Sequence, residues 1–233
     1  MQILILCGGL AARLMPITKN IPKSMVLIGK KPFLEHQIKL LKKNGISDIV
    51  LCIGHKGVQI EKYFGNGRKF GVNIQYGKDG KKLLGTGGAI KKAEKLLQDD
   101  FLIIYGDSYL PFNFQKAIKF FKKNNKLGMM TVFKNKNKYE PSNVEVEGKL
   151  VKHYAKNLPA GWQAKKMEYI DYGLSIFKKE TLKYIPKNKF YDLSKLHSLL
   201  IKNKELLAYP AEKRFYQIGS FEGLEEFKRY IKK

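Results

Sequence analysis

A chain of 233 residues, 44% hydrophobic and 12% aromatic, carries enough apolar surface to bury one large core and is far from the composition of a disordered polymer. Its formal net charge of +25 is mostly lysine, spread in pairs such as Lys42-Lys43, Lys91-Lys92 and Lys122-Lys123, with arginine confined to Arg13, Arg68, Arg214 and Arg229; the absence of clustered arginine forks and interleaved aromatics argues against nucleic-acid binding as the main task, which stays a rival reading. No apolar run reaches the roughly 18 residues of a membrane span and no secretory layout opens the chain, so a cytoplasmic protein is expected, with Cys7 and Cys52 as reduced core thiols.

The first predicted element is a strand over residues 3–7, an apolar run that ends in Gly8-Gly9. A helix follows over Phe33–Lys43, with Phe33, Leu34, Ile38, Leu40 and Leu41 between lysines and Asn44-Gly45 to stop it. Residues 49–53 read as a strand, 58–64 as a short helix, 72–76 as a strand and 88–97 as a helix. This alternation predicts βαβ units around a parallel sheet. Residues 101–108, "FLIIYGDS", form an apolar run broken by Gly106-Asp107. Ligands of open α/β sheets collect beyond the carboxyl ends of strands, so Asp107 is the first candidate for chemistry. From Leu127 the pattern turns to strands with hairpin signals around Gly148, and helices over Leu193–Lys202 and Phe221–Ile231 close the chain.

The stretch after the first strand, "CGGLAARLMPITKNIPKSM", holds two glycines that let bare N–H groups face an anion, followed by Arg13 and Lys23 on a proline-restrained backbone. Neither the P-loop nor the G-x-G-x-x-G pattern occurs. The stretch resembles the signature of the sugar-1-phosphate nucleotidyltransferases, GG-x-G-T-R-L-x-P-x-T followed by P-K-x-M, with Gly8, Gly9, Arg13, Leu14, Pro16, Thr18, Pro22, Lys23 and Met25 in register. It departs from that signature at Ala11-Ala12, where the family has Gly-Thr. A planar Arg13 fork suits the β- and γ-phosphates of an NTP, and Lys23 suits the reacting α-phosphate.

Further stretches extend the resemblance. "LLGTGGAIKKA" is similar to the family's nucleoside loop, which implies that Gly85, Thr86 and Gly88 lie against the nucleotide together with Leu6, Gly8 and Gly9. "YGDS" implies that Asp107 holds Mg²⁺, a hard cation that favours carboxylate and phosphate oxygens. "YIDYGLSIF" resembles a sugar-binding strand, implying Asp171, Tyr172 and Gly173 as contacts, with Lys156 on the sugar's phosphate. "FYQIGS" resembles the closing metal motif, with Gln217 where the family has an acid. Either Asp107 and phosphates hold the ion largely alone, or another acid such as Asp171 contributes, or activity is reduced.

The resemblance implies a three-layer α/β, Rossmann-like nucleotidyltransferase fold of GT-A-like type, with a mixed, mostly parallel central sheet and a small β subdomain. It is expected as a single domain over 1–233, with a nucleotide-binding half to about 126 and a sugar-phosphate-binding half from about 127. The short length is taken to exclude an appended left-handed β-helix. The implied partners are an NTP and a sugar 1-phosphate, with no nucleic acid and no membrane; a homodimer is compatible with the sequence. Among short relatives the text "GKKPFLEHQIKLLKKNGI" most resembles the heptose 1-phosphate guanylyltransferases, which implies GTP with a heptose or hexose 1-phosphate. Alternatives are a UTP-dependent MurNAc- or GlcNAc-1-phosphate uridylyltransferase, a CTP-dependent enzyme acting on a phosphorylated alcohol such as phosphocholine, or a non-catalytic nucleotide-sugar-binding module. His36, His55, His153 and His197 are scattered and read as structural, and no covalent protein intermediate is indicated.

Overall fold

The structure, a computed structural model, describes residues 1–9, 12–80, 83–156 and 167–232. Its opening strand β1 (Gln2–Leu6) buries Ile3, Leu4 and Ile5 completely, and a strand apolar on both faces needs cover on both. A small pair, β2 (Leu27–Ile28) and β3 (Lys31–Pro32), leads into α1 (Phe33–Lys43). There follow β4 (Asp48–Ile53), α2 (Gly57–Phe64), β5 (Asn73–Lys78), α3 (Gly85–Lys92), β6 (Asp100–Tyr105), β7 (Ser108–Tyr109) and α4 (Phe114–Asn124). The second half contains β8 (Gly128–Lys134), β9 (Val144–Glu147), β10 (Leu150–Tyr154), β11 (Tyr169–Lys178), α5 (Leu193–Lys202), β12 (Leu206–Ala211), β13 (Tyr216–Gln217) and α6 (Phe221–Ile231).

One nine-stranded sheet joins both halves in the order β5-β4-β1-β6-β11-β8-β12-β10-β9. Its parallel character is concentrated at one end: β5, β4, β1 and β6 are mutually parallel, while β11 pairs antiparallel with β6 and β8. Beyond that, among the described residues only β8 and β12 are parallel neighbours, so the sheet is mixed rather than mostly parallel. The hairpin read from Gly148 is the β9–β10 pair.

Helices α1, α2 and α4 cover one face through Leu34, Ile38, Ile60, Phe64, Phe114 and Phe121. Helices α3 and α5 cover the other through Ile90, Leu193, Leu196 and Leu200, completing three layers. Helix α4 was not anticipated from the sequence, yet its signals are local: Asn113 accepts from Lys116 N at 3.1 Å as an N-cap, and Phe114, Ala117, Ile118 and Phe121 form its buried stripe. Helix α3 begins three residues before the expected start. The Gly87 and Gly88 N–H groups both donate to Tyr191 O, at 2.9 and 3.1 Å, a cap supplied from 104 and 103 residues away that no local signal announces.

From β1 the chain passes to β4 on one side and later to β6 on the other, so a crevice opens where β1 and β6 end. No helix among the described residues is long and apolar enough to cross a membrane.

Candidate nucleotide site

The turn bearing Asp107 is braced on every side. Gly106 N donates to Leu6 O at 2.9 Å, Ile218 N donates to Asp107 O at 2.9 Å, and Gln37 Nε2 on α1 donates to Tyr105 O at 2.9 Å and to Ser108 O. A Cβ on Gly106 would stand 2.7 Å from Cys7 Sγ, so only glycine lets this turn close on the end of β1. Lys23 reaches the same place from a short helical turn after Pro22, with its Nζ 2.7 Å from Asp107 Oδ2. The preceding loop is tied to α2, where Lys56 Nζ donates to the carbonyls of Thr18 and Lys19 and Gln59 Nε2 donates to Asn20 O at 2.8 Å.

Lys23, Gly106 and Asp107 help to wall a cavity of about 260 Å³. Its floor is Leu6, Cys7, Gly8 and Gly9; Lys23, Tyr105 and Asp107 stand at one side, and Asp79, Leu83, Gly85, Thr86 and Phe190 at the other. The structure thus brings together Leu6, Gly8, Gly9, Lys23, Gly85, Thr86 and Asp107 from the sequence reading. Thr86 also has a structural task, its Oγ1 accepting from Leu193 N at 2.8 Å. Gly88 is elsewhere: a Cβ there would meet Lys189 O and Leu84 Cβ at 2.8 Å, so it packs the loop before α5 onto α3 and is not a wall residue. Arg13 is exposed, is not a wall residue and forms no ion pair with another described residue. Of the Ala11-Ala12 departure, Ala11 lies outside the described residues. Burial pushes the Cys7 thiol up to about 12 and that of Cys52 upward too, as expected of inert core thiols.

Next to the cavity lies an acidic neighbourhood. Burial raises the Tyr105 phenol, with the charges of Asp171, Asp192 and Asp107 adding to the rise. Asp171 is raised to about 6 by burial, against which the Gly173 N–H (2.9 Å to Oδ1), the Tyr154 hydroxyl and the charge of Lys156 all act. Lys156 pairs with Asp192, which caps α5 by accepting from Ser194 N at 2.9 Å. Tyr172 faces the opposite way, as alternate strand residues must: its ring is buried beside Phe112 and Phe215, with centroids 5.6 and 5.7 Å away, which makes it a core residue and not a crevice contact.

Gln217 pairs in register with Ser108, so the closing segment does lie beside Asp107. A Cβ on Gly219 would be 3.4 Å from Gln217 Oε1 and 4.0 Å from Asp107 Oδ2, so the amide oxygen and the carboxylate face one small space. The Gln217 amide nitrogen donates to Glu140, an acid the sequence reading did not single out. Among the described residues no group of three or more His, Cys, Asp or Glu is poised around an ion. One carboxylate and one amide oxygen do suit a magnesium ion that arrives with phosphate oxygens and water as its remaining ligands.

The sequence reading also missed Asp79, Leu83, Tyr105 and Phe190. Asp79 had a signal: like Asp107, it is an acid just past the carboxyl end of a strand, here β5. Phe190 had none, because its place depends on α3 meeting α5.

The family model described as Nucleotidyl transferase matches residues 2–233. The chain is 31% identical to a UTP–glucose-1-phosphate uridylyltransferase of Synechocystis over 83% of this chain and 53% of that protein. It is 41% identical to a D-glycero-alpha-D-manno-heptose 1-phosphate guanylyltransferase of Campylobacter jejuni over 50% of this chain and 52% of that one. The chain thus spans about half the length of the curated relatives it matches. Among solved structures, that of HddC from Yersinia pseudotuberculosis superposes with a TM-score of 0.80, covering 99% of both chains at 23% identity, which is a likeness of fold.

Proposed function

We propose, because the chain belongs to the nucleotidyl transferase family, that it transfers a nucleoside monophosphate from an NTP to a sugar 1-phosphate. An oxygen of the sugar phosphate bonds to the α-phosphorus, the bond from that phosphorus to the bridging oxygen breaks, and pyrophosphate leaves. The observation that carries this reading is the Lys23–Asp107 pair at the mouth of a glycine-floored cavity between β1 and β6.

The attacking oxygen is already an anion, so no general base is needed; catalysis comes from alignment and charge neutralisation. Lys23 exchanges its carboxylate partner for the α-phosphate, Gly8 and Gly9 offer N–H groups to phosphate oxygens, and exposed Arg13 folds onto the β- and γ-phosphates as the NTP enters. Asp107, with Gln217 Oε1, would hold Mg²⁺, which supplies charge neutralisation on the triphosphate. Asp171, Gly173 and Lys156 lie on the acceptor side, where hydroxyl-bearing sugars find hydrogen-bonding partners. A reaction fed by the cellular NTP pool belongs in the cytoplasm.

The Campylobacter relative, with the higher identity, favours GTP with a heptose or hexose 1-phosphate. The test is pyrophosphate release from the four NTPs crossed with sugar 1-phosphates in Mg²⁺. Turnover with one pairing is expected. Nucleotide binding without pyrophosphate from any pairing would mark a binding module instead.

A further inference from the structure

Gln217 stands where the sequence resemblance places an acid, and an amide can serve a cation only one way round. Its carbonyl oxygen accepts, its NH₂ group donates, and a cation facing the NH₂ side is repelled. A carboxylate, with two equivalent oxygens, has no wrong face. An amide that is to act as a metal ligand therefore needs a partner that holds its orientation.

The backbone of Gln217 is fixed on several sides. Gln217 pairs with Ser108 across β13 and β7, and Ile218 N donates to Asp107 O at 2.9 Å. A Cβ on Gly223 would collide with Gln217 O, so the start of α6 closes on the residue from behind. What remains is rotation of the side chain, and Glu140 takes it up: Gln217 Nε2 donates to Glu140 Oε1. A carboxylate can only accept, so it draws the NH₂ group to itself and turns Gln217 Oε1 toward the space shared with Asp107 Oδ2.

Glu140 is exposed, yet the loop that presents it is anchored. Buried Asn135 donates through Nδ2 to Glu140 O at 2.5 Å and to Ser142 Oγ at 3.2 Å, and its Oδ1 accepts from Tyr139 N at 3.3 Å. Ser142 N donates in turn to Asn137 Oδ1 at 2.7 Å. From outside, the Arg214 guanidinium lies 4.1 Å from the centre of the Tyr139 ring, and both carboxylate oxygens of Glu226 on α6 hold that guanidinium, at 2.6 and 2.9 Å. The loop before β9 is thus tied to the helix that follows Gln217, which fixes where the acid stands.

We propose that Glu140 is a positioning residue for the divalent ion: it locks the Gln217 amide with Oε1 toward Asp107 and, by accepting from the NH₂ group, increases the negative charge on that oxygen. The two side chains together stand in for the missing acid, with the formal charge placed one hydrogen bond further out. This inference rests on the metal-binding reading of Asp107 and adds to it how a neutral side chain takes part.

The test is binding of Mn²⁺, read by loss of the free ion's electron paramagnetic resonance signal, to the wild type, Glu140→Ala, Glu140→Gln and the double variant Glu140→Ala with Gln217→Glu. Glu140→Ala should weaken Mn²⁺ binding about 10-fold. Glu140→Gln keeps an oxygen that accepts from Gln217 Nε2 and should stay within about 3-fold of the wild type. The double variant should regain wild-type affinity or exceed it, because a carboxylate needs no orienting partner; that recovery also shows that the loop folds without Glu140. Unchanged affinity in Glu140→Ala would overturn the positioning role while leaving Asp107 as a metal ligand. So would equal losses in the Ala and Gln variants, which would reduce the contribution of Glu140 to its charge, and so would a double variant as weak as Glu140→Ala. Absence of Mn²⁺ binding by the wild type, or binding that Asp107→Asn leaves unchanged, would overturn both readings.

Discussion

Lys23 and Asp107, 84 residues apart in sequence, meet with Nζ 2.7 Å from Oδ2 at the mouth of the cavity. Their side chains retain 21% and 27% exposure, so the pair is screened by water and open to exchange of partners. Asp107→Asn and Lys23→Met should each lower pyrophosphate release by about 100-fold or more, while chemical denaturation shifts by less than about 1 kcal/mol. Full turnover in either variant would remove that side chain from the chemistry. A large loss of stability would make the pair a structural one.

Asp171 on β11 links stability to pH. Its carboxyl is raised from 3.8 to about 6, so the folded state holds the proton more tightly than the unfolded one. The stabilisation is complete below the unfolded value and is lost as pH rises through the folded value; at neutral pH the buried charge is a cost. Asp171→Asn keeps an acceptor for Gly173 N. It should match the wild type near pH 4 and exceed its stability by about 1–2 kcal/mol near pH 7.5. His197, lowered from 6.5 to about 4 by burial, gives a contribution that is instead lost as pH falls, so the difference between variant and wild type is the quantity to measure. A difference that stays constant from pH 4 to 7.5 would contradict this account.

Gln217 sets a polar test. Its amide nitrogen donates to Glu140, so Gln217→Glu turns a hydrogen bond into a confrontation of two carboxylates beside Asp107. Without divalent ions the thermal midpoint should fall, with a loss of stability below about 1 kcal/mol because Glu140 is exposed. Added Mg²⁺ should raise that midpoint more than it raises the wild type's, with turnover equal or higher. A collapse of turnover would show that the amide itself is required.

Two glycines should resist substitution for different reasons. At Gly85, φ is +71° and a Cβ would stand 2.8 Å from Tyr191 O and 3.1 Å from the Phe190 ring; at Gly106 it would stand 2.7 Å from Cys7 Sγ and 2.9 Å from Leu6 O. Alanine at either position should cost roughly 2 kcal/mol or more in denaturant titration. A loss under about 0.5 kcal/mol would mean that the loops yield freely.

Elements whose signal is periodic were legible in the sequence: Phe33–Lys43, Leu193–Lys202 and Phe221–Ile231 match the expected helices end for end. So were the cavity floor and Asp107, because glycine pairs and an acid at a strand's carboxyl end have chemical meaning before any folding is known. The burial of Tyr172 in the core was not legible, because only alternation around the irregularity between Asp171 and Ser175 decides which residues of β11 point inward.

The sequence by itself thus determined the three-layer class, the glycine-bearing loop after β1 and the residues able to carry charge there, since apolar periodicity and residue chemistry are local properties. Only the tertiary structure decided which charges meet. The order β5-β4-β1-β6 brings Gly8, Asp79 and Asp107 to one cavity, α1 lends Gln37 to brace the Asp107 turn, and Tyr191 caps α3. Pairing strands that are distant in the chain fixes distances that no spacing along the chain encodes.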